Sequence, residues 1–262
     1  MVRGVKITAA FWLLCAVFIL STTAVRADRY SFVSLEYTPY AYCQNGTLKG
    51  WDIEIMRESF HRMNVDLDIN LVPWKRALHM GMNGHADGLF GILKVPDREQ
   101  KMYFSNPIRG ETISFFVRKD SDIVFDGDLS KMKEFRFGVV SGYNYGKKVD
   151  IFFENNVPEA HIEKVVSPVM NVAKLIKGRF DILLGDTAST LHTIRKQGLE
   201  GQIRKLYPPV SFNKVYVAFY KNKQMGDLRD RFNVALESMR KDGTLHLIMK
   251  KYMDSSVIEK GK

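Results

Sequence analysis

Residues 65–78 read Val65-Asp66-Leu67-Asp68-Ile69-Asn70-Leu71-Val72-Pro73-Trp74-Lys75-Arg76-Ala77-Leu78. The first seven alternate apolar and polar side chains strictly. That period of two predicts a strand with one face buried. Pro73 then suits the first turn of a helix, where its missing N–H costs nothing, and Gly84 suits the helix end. A strand feeding directly into a helix is the start of a β-α unit.

Working outward, the unit extends on both sides. Ser31 to Leu35 reads as a strand leading into a loop, Glu36-Tyr37-Thr38-Pro39-Tyr40. Asn45-Gly46 is a turn signal. Ile53, Met56, Phe60 and Met63 recur at helical spacing, with Asp52 placed to cap the helix start. Asp87 to Leu93 is a short apolar run, read as a buried strand. The order is β-α-β-α-β. It returns between Phe135 and Leu184: strand 135–140, the turn Ser141-Gly142-Tyr143-Asn144-Tyr145-Gly146, helix 148–154, strand 161–166, helix 168–177 stopped by Gly178, and strand 180–184. Two such units predict two α/β lobes with largely parallel sheets. Ile113 to Arg118 and Val215 to Tyr220 read as the two segments that cross between them. Two helices follow, separated at Asp242-Gly243-Thr244. The expected lobes are 28–116 with 218–262, and 117–217. A cleft between lobes, at the carboxyl ends of parallel strands, is where α/β proteins bind ligands.

Residues 1–27 read as a cleaved export signal. Arg3 and Lys6 precede an uncharged apolar run, Ile7 to Leu20, and Val25-Arg26-Ala27 places small residues at −3 and −1 before Asp28. The run is short for a membrane span of about 20 residues. Leu14 before Cys15 argues against a lipid attachment site. The expected location is therefore the periplasm. Cys43 is then the one remaining cysteine, read as a half-buried small residue near a turn, with no internal disulfide and no zinc pattern.

The 262 residues carry 39 basic and 29 acidic side chains, a formal net charge of +10. Without residues 1–27 the balance is 36 to 29, or +7. Basic and acidic residues are interleaved with no basic run, which excludes a nucleic-acid binder. The composition, 45% apolar and 26% charged, excludes a disordered chain.

Six segments in order resemble the bacterial extracellular solute-binding proteins of family 3, the polar amino-acid-binding proteins of ABC importers. They are Tyr37-Thr38-Pro39-Tyr40; Gly50-Trp51-Asp52-Ile53-Glu54-Ile55; Pro73 to Leu78; Asp97-Arg98 before Phe104-Ser105-Asn106-Pro107; Gly178-Arg179-Phe180-Asp181 before Gly185-Asp186; and Asp242-Gly243-Thr244 ending in Lys251-Tyr252. The resemblance implies the type II periplasmic-binding-protein fold, two α/β lobes joined by a two-segment hinge. It also implies a monomer that closes on a small polar solute and hands it to an inner-membrane ABC permease, with no cofactor and no metal.

The same resemblance assigns roles to residues. Arg98 matches the arginine that holds the ligand's carboxylate, a task suited to a planar guanidinium. Asp186 matches the carboxylate that receives the ammonium, although it is equally placed to cap a helix beginning at Thr187. Tyr37 and Trp74 match the side chains that sandwich the ligand, and Arg76 follows them as a cleft-facing or merely solvated cation. Asp181 reads as structural. At Tyr143 and Asn144 many members carry Thr or Ser, and Asp87 to Lys94 has no serine or threonine where amino-acid binders commonly have one. The Gly142-Tyr143-Asn144 turn, lying before a helix, would offer backbone N–H groups to an anion.

Two other functions compete. A few relatives on this scaffold are dehydratases, which would require an acid/base pair. The six histidines (61, 79, 85, 161, 192 and 246) have no catalytic or metal spacing. The module also forms receptor ectodomains, so a carrier for a sensor is the third reading.

Overall fold

The computed structural model describes residues 28–222 and 225–258. The expected export signal lies outside the described residues. In chain order the elements are β1 (Arg29–Ser34), β2 (Tyr42–Gln44), β3 (Thr47–Lys49), α1 (Trp51–Arg62), β4 (Asp66–Leu71), α2 (Trp74–Met82), β5 (Gly88–Ile92), α3 (Pro96–Lys101), β6 (Met102–Phe104) and β7 (Arg109–Arg118). There follow β8 (Phe137–Val140), α4 (Lys147–Asn156), β9 (Ile162–Val165), α5 (Pro168–Ile176), β10 (Ile182–Asp186), α6 (Thr187–Lys196), β11 (Ile203–Lys205), β12 (Ser211–Tyr220), α7 (Met225–Lys241) and α8 (Thr244–Ile258).

Ten of the described strands form one curled sheet in the order β4-β1-β5-β12-β7-β10-β8-β9, with β6 beside β12 and β11 beside β7. β4, β1 and β5 are parallel, as are β10, β8 and β9. The two parallel groups are joined through β7 and β12, which run antiparallel. Each of these long strands changes partners along its length. β12 pairs with β7 from Ser211 to Val215 and with β5 from Tyr216 onward. β7 pairs with β12 up to Ile113 and with β10 from Ile113 to Phe116. A strand that leaves one set of partners for another is the physical form of a crossing segment.

Each parallel group has its own aromatic core. Phe32 packs edge-on against Phe60 and Phe219, both at 5.3 Å. Phe137 does the same against Phe153 at 4.9 Å, beside Phe115 and Phe125. Each fully buried Phe contributes about 1.5–3 kcal/mol, so the two clusters stiffen the two halves separately.

Three local expectations are corrected. Asp52 does not cap α1: Gly50 occupies that position at φ 123°, and Asp52 turns inward. Only glycine fits there, because a Cβ would meet the Tyr40 carbonyl oxygen at 2.2 Å. Pro73 caps α2 from outside rather than opening its first turn. Cys43 is exposed on β2, because β2 and β3 form a two-stranded ribbon turned at Asn45 (φ 52°) and Gly46 (φ 73°), away from the main sheet.

Candidate functional site

The chain leaving the carboxyl ends of β1, β5 and β8 closes on a small cavity. Its lining includes Tyr37 after β1, Gly91 and Leu93 at the end of β5, Trp74 at the start of α2 and Arg98 on α3. Glu111 on β7 and Tyr143 and Asn144 after β8 complete it. The cavity volume is about 20 Å³, room for little more than one water.

The cleft is closed by contacts between the two halves. Trp74 Nε1 donates to the Gly142 carbonyl at 3.0 Å. Tyr40 Oη donates to Asp186 at 3.0 Å. Tyr143 lies edge-to-face against both Tyr37 (5.9 Å) and Trp74 (5.7 Å). The two aromatics that the resemblance assigns to a ligand's side chain therefore hold the protein's own ring. The Tyr143 hydroxyl is buried without a hydrogen-bond partner, and burial holds its pKa well above the ordinary phenol value.

Arg98 is 5% exposed. Its Nη1 donates to the Leu93 carbonyl at 3.0 Å, and its guanidinium stands 5.9 Å from the Trp74 ring. Among the described residues no carboxylate lies within 4 Å of it. Desolvation brings its pKa down to about 10, against the weaker pull of Asp150 and Asp97. This is a buried cation without a counter-ion.

Asp186 is buried and closes β10 as the cap of α6, accepting from Ser189 N at 2.9 Å. It does not line the cavity but stands behind Tyr40. Burial raises its pKa, opposed by Arg109 and by its hydrogen bonds. Arg76 is exposed at the start of α2 and takes no part in the lining. Asp181 holds Arg136 at 2.8 Å, a structural pairing.

The turn after β8 keeps part of its amide set engaged. Ser141 N donates to Val165, Tyr143 N to Val140 and Tyr145 N to the Asp150 carboxylate at 2.9 Å. Asp150 also accepts from Asn144 Nδ2. The chain's own Asp150, in the first turn of α4, thus takes the Tyr145 amide and the Asn144 side chain.

Behind the cavity lies a group that the sequence reading missed. Arg109 Nε donates to both oxygens of Asp52, at 2.9 and 3.2 Å, with both side chains at most 2% exposed. The Arg109 guanidinium lies 3.5 Å from the centre of the Tyr40 ring. Glu111 is 3.8 Å from Arg109 Nη1, which has no hydrogen bond of its own. The signal was present: Arg109, Glu111, Ile113 and Phe115 alternate, so one strand face carries two charges beside two apolar residues. The expected strand began at Ile113 and left both charges outside it.

Among the described residues no group of three or more His, Cys, Asp or Glu side chains is placed to hold a metal ion. No described helix is long and apolar enough to cross a membrane.

Two α/β halves, two crossing strands and a cleft carrying a buried arginine define a solute-binding protein of the type II periplasmic-binding fold. The chain belongs to the bacterial extracellular solute-binding proteins, family 3, which it matches over residues 31–255. It is 26% identical to the probable amino-acid-binding protein YxeM of Bacillus subtilis (strain 168), over 84% of this chain and 81% of that one. In structure it resembles a histidine kinase sensor domain with similarity to periplasmic binding proteins (TM-score 0.76, 20% identity, 87% of this chain and 96% of that one). It also resembles an ancestral arginine-binding protein bound to arginine (TM-score 0.74, 22% identity, 86% and 97%).

Proposed function

We propose that the cleft captures an amino acid or a closely related carboxylate by closure of the two lobes. The observation that supports this most is Arg98, a buried guanidinium with no ion pair. A buried charge is costly unless paired, and a planar carboxylate supplies two parallel hydrogen bonds to such a group. In this reading Arg98 takes the carboxylate, and the negative charge of Glu111 on the cavity and of Asp186 behind Tyr40 attracts a cationic end. Tyr37 and Trp74 flank the rest of the ligand. Tyr143 and Asn144 move aside to admit it, toward the pocket of about 260 Å³ that they also line on their far side. Arg76 and the net positive charge act at longer range, drawing anionic groups to the cleft. Closure needs no covalent step: the ligand stabilises the closed state by touching both lobes.

The proposal extends to the chain's setting. Residues 1–27 direct export and are removed before Asp28, and the mature protein works in the periplasm as a monomer. The lobes divide within the crossing strands, near 109–113 and 211–216, a few residues before the expected limits. A thermal-shift screen of residues 28–262 against amino acids, their analogues and small organic acids tests the capture step. A cognate ligand at 100 times its Kd stabilises the protein by about 2.7 kcal/mol, or about 5–11 °C in Tm for a chain of this size. A screen with no shift counts against an amino-acid ligand.

After capture, the ligand passes to an ABC permease. The likeness to a sensor domain supports a second reading, in which the filled protein reports to a receptor. Uptake of the labelled ligand by cells lacking the protein separates the two: import falls at least tenfold for a permease carrier and is unchanged for a signalling one.

A further inference from the structure

Resting on that reading of the cleft, we propose that Glu111, rather than Asp186, is the group that contacts the ligand's ammonium. Arg98 and Glu111 line the same cavity. One is a buried cation and the other a carboxylate whose side chain is 9% exposed. A zwitterion with adjacent charges supplies Arg98 with a counter-ion and Glu111 with a closer cation than Arg109 at 3.8 Å.

Asp186 has little capacity left. Its carboxylate accepts from Tyr40 Oη and Ser189 N, with a further hydrogen bond from the backbone of Thr112. Its place behind Tyr40 keeps it out of the cavity lining. It acts as a positioning residue that fixes Tyr40 and caps α6. Glu111 accepts one long hydrogen bond, from Asn213 Nδ2 at 3.3 Å. Arg109 gives its Nε to Asp52, and its Nη1, 3.8 Å from Glu111, is too far to donate a hydrogen bond to it. The cluster of Asp52, Glu111 and Asp186 thus holds three carboxylates against one arginine. Buried charges left in such excess call for a further cation or a proton.

In the ligand-free protein a proton is the alternative. Burial, with Asp186 and Asp52 adding to it, raises the Glu111 pKa to about 7 against the opposing pull of Arg109 and Asn213. The other titratable groups facing it are Tyr37, Tyr40, Tyr143 and Tyr145, all with pKa values raised by burial and so uncharged near neutrality. Arg98 is the second cation on the cavity and stays charged there. An ammonium binds the ionised carboxylate, so affinity rises with pH through the Glu111 pKa and falls up to tenfold per unit below it.

The test uses residues 28–262 and calorimetric titration with the twenty common L-amino acids, each beside its 2-hydroxy acid. The expected result is an amino acid bound at least tenfold more tightly than its hydroxy acid, with affinity rising from pH 6 to pH 8. The amino acid chosen for the pH series has no side chain titrating in that range. Glu111→Gln weakens binding tenfold to a hundredfold and flattens the pH dependence; Asp186→Asn weakens binding but keeps the slope. Equal affinity for the two acids, or a Glu111→Gln protein that binds like the parent with the same slope, overturns the Glu111 assignment and leaves the Arg98 reading standing. If no amino acid or hydroxy acid binds, the reading of the cleft itself falls. Should Glu111→Gln fail to fold, the unmodified protein decides: a flat profile between pH 6 and pH 8 overturns the proposal.

Discussion

Arg109→Ala lowers the unfolding free energy by about 3–5 kcal/mol, the loss that follows when one partner of a buried ion pair is removed. The reason is what remains. Asp52 sits on α1 with its side chain 2% exposed, and Arg109 Nε donates to both its oxygens. Without the guanidinium the carboxylate has no solvent and no cation. Tyr40 also loses the cation over its ring. The chain is large enough that the loss appears as about 6–20 °C in Tm. The pH dependence has a definite sign. Burial already raises the Asp52 pKa, and Arg109 is the main force lowering it. In the variant the folded state holds the Asp52 proton more tightly than the unfolded chain does. Stability of the variant therefore falls as pH rises above the ordinary carboxylate range, and the deficit is smaller at pH 5 than at pH 8. Urea melts of parent and variant at both values check this. A loss under 1 kcal/mol, or a larger deficit at pH 5, would refute the account. Replacing both members, Arg109→Met with Asp52→Leu, recovers much of the stability, since an apolar pair of similar size leaves no charge unpaired.

Arg98→Ala gives the opposite pattern. It weakens capture of the carboxylate ligand tenfold to several hundredfold, because a hydrogen bond to a charged group contributes about 1.5–3 kcal/mol. It does not lower the melting temperature of the empty protein. The Arg98 pKa is pulled down to about 10 by burial, which means that the fold opposes the charge rather than using it. Arg98→Lys restores part of the binding only, since a point charge cannot make two parallel bonds to one carboxylate. Calorimetric titration with the ligand found in the screen, set beside thermal melts without it, reads both quantities. Parental affinity in Arg98→Ala would remove Arg98 from the site, and a large drop in Tm would make it a structural residue like Arg109.

These two arginines are eleven residues apart, both buried, and identical in chemistry. The sequence distinguished only one of them. Arg98 stands six residues before Phe104-Ser105, inside a local pattern that can be matched without knowing the fold. Strand and helix order was legible for the same reason. The period of two at Val65–Leu71 and the helical spacing at Ile53–Met63 are set by neighbours within a turn or two, and β4 and α1 lie where those periods put them. The cap at Asp186 was equally local, because its partner Ser189 is three residues away.

Arg109 takes its meaning from Asp52, 57 residues earlier, and Tyr40 from Asp186, 146 residues later. Glu111 matters because β7 carries it into the same cavity as Arg98 and Tyr143. Tyr143 matters because the closed lobes press its ring between Tyr37 and Trp74. The sequence by itself determined the two β-α-β-α-β runs, their order and the family; the short strands β2, β3, β6 and β11 and the helix α3 came only with the structure. The tertiary structure decided which charges are paired, which are left open and what fills the cleft. Periodicity and capping act over a few residues and are written in them, whereas the cost of a buried charge depends on what the returning chain places within about 4 Å of it.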